Sequence, residues 1–138
     1  MKWIVAMAAS LTLLAGACVS PEAAKPQVDA AHNSQNSLDW AGAYRGVLPC
    51  ADCPGIETVM VLQADGRYRT AARYQGRGDE TFKSDGAVTW NAAGNEITLS
   101  GAEPDRYRVQ ENRLLRLARD GSQITGPNTS AYVLAKLT

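Results

Sequence analysis

The sequence predicts an all-β protein: a small antiparallel up-and-down barrel, preceded by a signal peptide and a flexible tether. Three observations carry this. From Trp40 onward, short runs alternate apolar and polar residues with the period of two that belongs to half-buried strands. The turn dipeptides Asp65-Gly66, Asp85-Gly86, Gly94-Asn95 and Asp120-Gly121 punctuate those runs. No long stretch with a 3.6-residue apolar period follows residue 40. Such a meander leaves exposed edges, and closing it into a barrel removes them.

The chain begins in another style. Lys2 is the only charge before Glu22, and the apolar run from Trp3 to Ala17 is broken only by Ser10, Thr12 and Gly16. A charged start and a short apolar run read as a secretory signal, short of the ~20 residues that span a bilayer. The run ends Leu14-Ala15-Gly16-Ala17-Cys18, in the manner of a bacterial lipobox, although Ala15 stands where leucine is commoner. Residues 1–17 are therefore expected to be cleaved, with Cys18 carrying a diacylglycerol on sulfur and a further acyl chain, such as palmitate, on its new amino group. Such chains anchor firmly, at ~0.8 kcal/mol per buried methylene. The protein then meets the membrane through its N-terminal lipid.

Residues 18–39 hold the lipidated cysteine and a segment with two prolines and no aromatic residue. A stretch this poor in large apolar groups reads as a flexible spacer. His32, the one histidine, lies in it and is not read as a metal ligand.

Residues 40–138 form the expected barrel domain. Strands are predicted near 42–48, 57–63, 67–74, 80–83, 86–90, 95–100, 105–110, 113–118 and 131–137. In the third, Tyr68, Thr70, Ala72 and Tyr74 share one face, against Arg67, Arg69, Ala71 and Arg73 on the other. The run Arg113–Arg119 has some helical character but is too short and closely bounded to be read so. A barrel this small is nearly filled by its own side chains, and Tyr68, Tyr74, Trp90 and Tyr107 are the expected lining.

Composition removes several functions. Fourteen basic residues balance 14 acidic ones, so no nucleic-acid footprint is present. With no histidine past residue 32, no Ser-His-Asp or Cys-His arrangement can be assembled in the domain, and the protein is expected to be a non-enzymatic monomer. The arginine face of residues 67–73 is read as solvated.

The most informative segment is Leu48-Pro49-Cys50-Ala51-Asp52-Cys53-Pro54-Gly55-Ile56. A thioredoxin-like couple needs its first cysteine at a helix N-terminus, and here Pro54 and Gly55 follow at once. A zinc site needs four ligands, which the domain lacks, whereas two thiolates suit a soft ion such as Cu(I). Met60, on the strand after the loop, is a weak candidate for an added thioether. With Cys18 lipidated, the two remaining cysteines also make an even pair in an oxidising compartment, and a disulfide is the plainer reading. Metal and redox roles for Cys50 and Cys53 both stay open.

The run LPCADCPGIET, preceded by WAGAYRG at 40–46 and followed by LQADGRY at 62–68, RYQG at 73–76 and GAVTW at 86–90, resembles the NlpE N-terminal domain family. The Pro-Cys-x-x-Cys-x-Gly-Ile segment is its distinctive part. The resemblance implies a lipocalin-like barrel in an outer-membrane lipoprotein facing the periplasm. It further implies a part in copper homeostasis, adhesion and envelope-stress signalling, with signalling proteins as partners. Cys50 and Cys53 fall on the family's CxxC, and Val19-Ser20 after Cys18 matches outer-membrane sorting. The second, OB-like domain of the best-known members has no counterpart in these residues, so roles needing it are not expected of this stretch. The alternative is a lipocalin-like module for a small apolar ligand, with a purely structural disulfide.

Overall fold

A computed structural model describes residues 32–138, and Gly16 alone before them. The expected signal peptide and the lipid-bearing Cys18 lie outside the described residues. Eight strands follow one another: β1 (Gly42–Leu48), β2 (Ile56–Leu62), β3 (Arg67–Tyr74), β4 (Phe82–Trp90), β5 (Glu96–Leu99), β6 (Arg106–Gln110), β7 (Arg113–Arg116) and β8 (Val133–Lys136). Each pairs antiparallel with the next, and β8 returns to β1 through Tyr44↔Lys136 and Arg45↔Ala135. The predicted antiparallel up-and-down barrel is thus the observed one. Among the described residues no helix is long and apolar enough to cross a membrane.

Alternation puts one face of every strand inside. Tyr44, Met60, Leu62, Tyr68, Ile97, Leu99, Tyr107, Val109, Leu114 and Leu134 are buried together as one core. Each large apolar side chain removed from water contributes roughly 1.5–3 kcal/mol.

Two sequence readings need correction. The runs at 80–83 and 86–90 are one strand, and Asp85-Gly86 lies inside it rather than in a turn. Gly86 pairs with Tyr68, and a Cβ there would run into Ser100 Oγ and sit 3.1 Å from the Tyr68 ring. The glycine marks a close approach. The spacer, too, ends earlier than its composition suggests. Ser34–Ser37 form a short helix, α1, whose Asn33 and Asn36 cap each other's backbone.

That helix closes one end of the barrel. Ser34 Oγ donates to the Val109 carbonyl at 2.9 Å, and Gln35 N–H donates to the Gly94 carbonyl at 3.0 Å. Trp40 donates its indole N–H to the Gln35 carbonyl and packs edge-on against Trp90, centroids 5.3 Å apart. Trp90 therefore plugs this base with Leu38 and Trp40, against the core. The opposite end is formed by the β1–β2, β3–β4, β5–β6 and β7–β8 loops, and it is there that polar groups gather.

Candidate functional site

Leu48 and Ile56 are directly paired, so residues 49–55 make a loop at the rim between adjacent strands. Pro49 and Pro54 lack the N–H that would continue the ladder. Cys50 and Cys53 are disulfide-bonded, with Cα atoms 5.2 Å apart. Both are half-buried, while Asp52 between them is exposed. Asp52 Oδ1 lies 3.4 Å from Cys50 Sγ, and the Gly55 carbonyl 3.4 Å from Cys53 Sγ. In the disulfide neither sulfur bears a proton, so these are contacts; on reduction each thiol has an acceptor waiting.

The loop is held by the β3–β4 turn. Gln75 N–H donates to the Gly55 carbonyl at 2.9 Å, and Gly55 packs so closely that a Cβ would meet Val47 at 2.5 Å and the Gln75 side chain at 3.1 Å. Asp52 forms an ion pair with Arg77. The Arg77 guanidinium stands 6.0 Å above the Tyr74 ring, and Tyr74 meets Phe82 edge-on at 5.6 Å. Tyr74, Arg77, Glu80 and Phe82 border an open cleft of about 420 Å³. On the outer wall, Arg73 Nε donates to Glu57 at 2.9 Å and Gln75 assists. Those bonds hold the Glu57 carboxyl below the usual range.

Inside the mouth a second cavity of about 300 Å³ is bordered by Thr58, Thr70, Asp105, Tyr107 and Arg116, among others. Arg116 donates to the Tyr107 hydroxyl at 3.0 Å and to Asp105 at 2.5 Å. Burial pushes the Tyr107 phenol up, with Arg116 opposing. Burial also works against the Arg116 charge, but Tyr107 and Asp105 outweigh it and hold the guanidinium above its ordinary value.

The residues singled out from the sequence scatter over the barrel. Cys50, Asp52 and Cys53 place one donor atom each within 4.8 Å of one another. Met60 does not join them: it is fully buried in the core, paired across to Tyr44 and Thr70. It lies four residues along β2 from Ile56, about 13 Å at 3.3 Å per residue. Tyr68 and Tyr107 are buried in the wall, Tyr74 stands at the rim, and Trp90 sits at the base. Arg77 and Phe82 meet Tyr74 within the β3–β4 hairpin, and Asp105 meets Arg116 across the β6–β7 hairpin, contacts that alternation in the sequence does not announce.

The donor set fits a soft cation once the cystine is reduced. Two thiolates would hold Cu(I), with the Asp52 carboxylate adding favourable charge rather than a soft ligand. Zinc lacks its fourth ligand among the described residues.

Residues 44–127 match the family model described as NlpE N-terminal domain. Lipoprotein NlpE of Escherichia coli K12 is 36% identical over 84 residues, 59% of this chain and 36% of that protein. The 17 kDa lipoprotein of Treponema pallidum is 28% identical over 85 residues, 54% of each chain. The chain thus spans between a third and about half the length of these relatives. Among solved structures, a lipoprotein from Shewanella oneidensis superposes with a TM-score of 0.71 at 44% identity, covering 75% of this chain and 94% of that one. The Cpx pathway activator NlpE of Escherichia coli gives a TM-score of 0.55 at 36% identity, covering 63% and 46%.

Proposed function

The chain belongs to the NlpE N-terminal domain family, and from that premise we propose that it is a non-enzymatic envelope lipoprotein whose Cys50–Cys53 loop reports thiol redox state and binds Cu(I) when reduced. Its relatives are lipoproteins, so it is a membrane-anchored envelope protein. We further assign the anchor to the outer membrane, with the barrel on the periplasmic side.

One observation carries the reading: the disulfide lies in a rim loop braced by Asp52–Arg77 and outside the buried core. A bond there can open without unpacking the barrel. Reduction adds two electrons and two protons to the cystine, and a dithiol donor leaves as its disulfide. The product is a pair of thiols that deprotonate to bind a cuprous ion. Because the Escherichia coli relative is a Cpx pathway activator, a part in copper tolerance and envelope-stress signalling is proposed as the biological output.

The test compares Cu(I) binding by the full chain in three forms: reduced, oxidised, and Cys50→Ser/Cys53→Ser. One equivalent bound by the reduced form alone is the expected result. Equal binding by all three removes the metal role. A disulfide that stays oxidised at physiological thiol potentials removes the redox role and leaves a structural clamp. In that case the polar mouth cavity around Arg116 and Asp105 favours the second reading, a small-ligand module. Its lining suits a polar ligand better than the apolar one the sequence suggested.

A further inference from the structure

The barrel closes unevenly. Strand β4 has nine residues and β5 only four, so β5 covers β4 only at Val88↔Leu99, Thr89↔Thr98 and Trp90↔Ile97. Phe82, Lys83, Ser84 and Asp85 are paired to β3 on one side, and all four are exposed. Beyond them lies a crevice of about 180 Å³ toward the β5–β6 loop.

The direction of the free groups follows from the ladder. Val88 N–H donates to the Gly66 carbonyl on the β3 side at 2.7 Å. The Ala87 carbonyl instead accepts from Ser100 N–H at 3.0 Å, and its N–H donates to Ser100 Oγ at 2.9 Å, on the far side. The register is unbroken from Arg67↔Ala87 to Ala72↔Phe82. Alternation therefore turns the N–H and C=O of Lys83 and Asp85 away from β3. Among the described residues, none supplies those groups a main-chain partner.

We propose that this edge pairs with the same edge of a second copy of the chain, antiparallel about Ser84. The segment Phe82-Lys83-Ser84-Asp85-Gly86 is complementary to itself about its centre. With Ser84 opposite Ser84 on the two-fold axis, Lys83 of each copy faces Asp85 of the other. These are the residues whose main-chain groups point outward, so two hydrogen-bonded pairs form, with four N–H···O bonds. Their side chains share the outer face, as shown by Lys83 opposite Ala71 and Asp85 opposite Arg69. Each ion pair therefore lies directly across the new ladder, where opposite charges stabilise and like charges do the reverse. Asp85 keeps its contact with Arg67 at 3.7 Å and remains open enough for a second cation. On the inner face Phe82 meets Gly86, so the large ring finds no opposing side chain. Charges on edge strands commonly block pairing; here their order makes the block selective, since only a strand with the reverse order fits. The proposal departs from the monomer expected from the sequence.

Ser84→Cys in the full chain, expressed in the bacterial envelope, tests the geometry. Facing residues of a non-hydrogen-bonded pair lie about 4.5 Å apart at Cα, within reach of a disulfide. The expected result is a covalent dimer on non-reducing electrophoresis, linked through residue 84 by peptide mapping. Adding Lys83→Asp sets Asp against Asp and is expected to lower the dimer yield about tenfold. Lys83→Asp with Asp85→Lys restores it. Sedimentation of the detergent-solubilised full chain without Ser84→Cys follows the same order. A folded Ser84→Cys chain that stays monomeric overturns the proposal. So does a dimer yield indifferent to the charge swaps, or capture of a different protein at residue 84.

Discussion

Asp52, between the two bonded cysteines, pairs with Arg77 of the β3–β4 turn, so the charge beside Cys50 is balanced from another part of the chain. Both side chains are at least half exposed, and the pair adds only about 0–1 kcal/mol to stability. Its consequence is electrostatic. A carboxylate against a thiol disfavours the thiolate, and a guanidinium offsets that.

In the reduced protein, Arg77→Ala is therefore expected to raise the apparent thiol pKa of the loop, and Asp52→Asn to lower it. Alkylation rate against pH reads both. Shifts in the same direction would show that the pair acts through loop conformation instead. Neither variant should move Tm by more than a few degrees, given the exposure of both groups.

Tyr44 supplies a pH dependence at the alkaline end. Its hydroxyl donates to the Trp40 carbonyl at 2.7 Å. Burial, then the Asp39 charge, push its pKa from 10.0 up to about 12. The folded state favours the neutral phenol, so this contribution is complete below the unfolded pKa of 10.0 and is lost as pH rises toward about 12. Denaturant unfolding is expected to show stability falling across that window. Tyr44→Phe should be about 1 kcal/mol less stable at neutral pH and show a shallower alkaline decline.

Much of this fold was legible because a strand's period is local. Tyr68, Thr70, Ala72 and Tyr74 announce an inner face by spacing alone, and Asp65-Gly66 and Gly94-Asn95 mark the β2–β3 and β4–β5 turns. Asp85-Gly86 misled because glycine serves two purposes, a turn and a close approach, and only the pairing of Gly86 with Tyr68 separates them. The CxxC was equally plain as chemistry, but its neighbours were not. Arg77 and Asp52 are 25 positions apart, and Asp105 meets Arg116 only through the β6–β7 pairing.

Gly86→Ala tests that second purpose. The added Cβ collides with Ser100 and crowds the Tyr68 ring. Overpacking of this kind costs about 1–3 kcal/mol, so thermal melting should fall by about 10 °C. A true turn glycine would instead resist substitution through a left-handed φ, which Gly86 does not have. Ser100→Ala should therefore recover part of the loss, and no recovery would contradict the steric account.

Met60 belongs to the core and not to the rim loop. A methionine four residues beyond Ile56, on the strand that leaves the loop, looks like a reserve thioether. Yet its side chain is fully buried between Tyr44 and Thr70 on the barrel's inner wall. Reaching the rim would require it to leave the core and open a cavity there, a loss of about 2–5 kcal/mol by analogy with truncation to alanine. Two thiolates already satisfy Cu(I), so nothing drives that exchange. Met60→Leu, nearly equal in volume, is expected to change stability by less than about 1.5 kcal/mol. Cu(I) affinity of the reduced protein should stay the same, measured by competition with a chromophoric chelator. A tenfold weaker affinity in a stably folded Met60→Leu chain would place the thioether at the metal and require β2 to rearrange on binding.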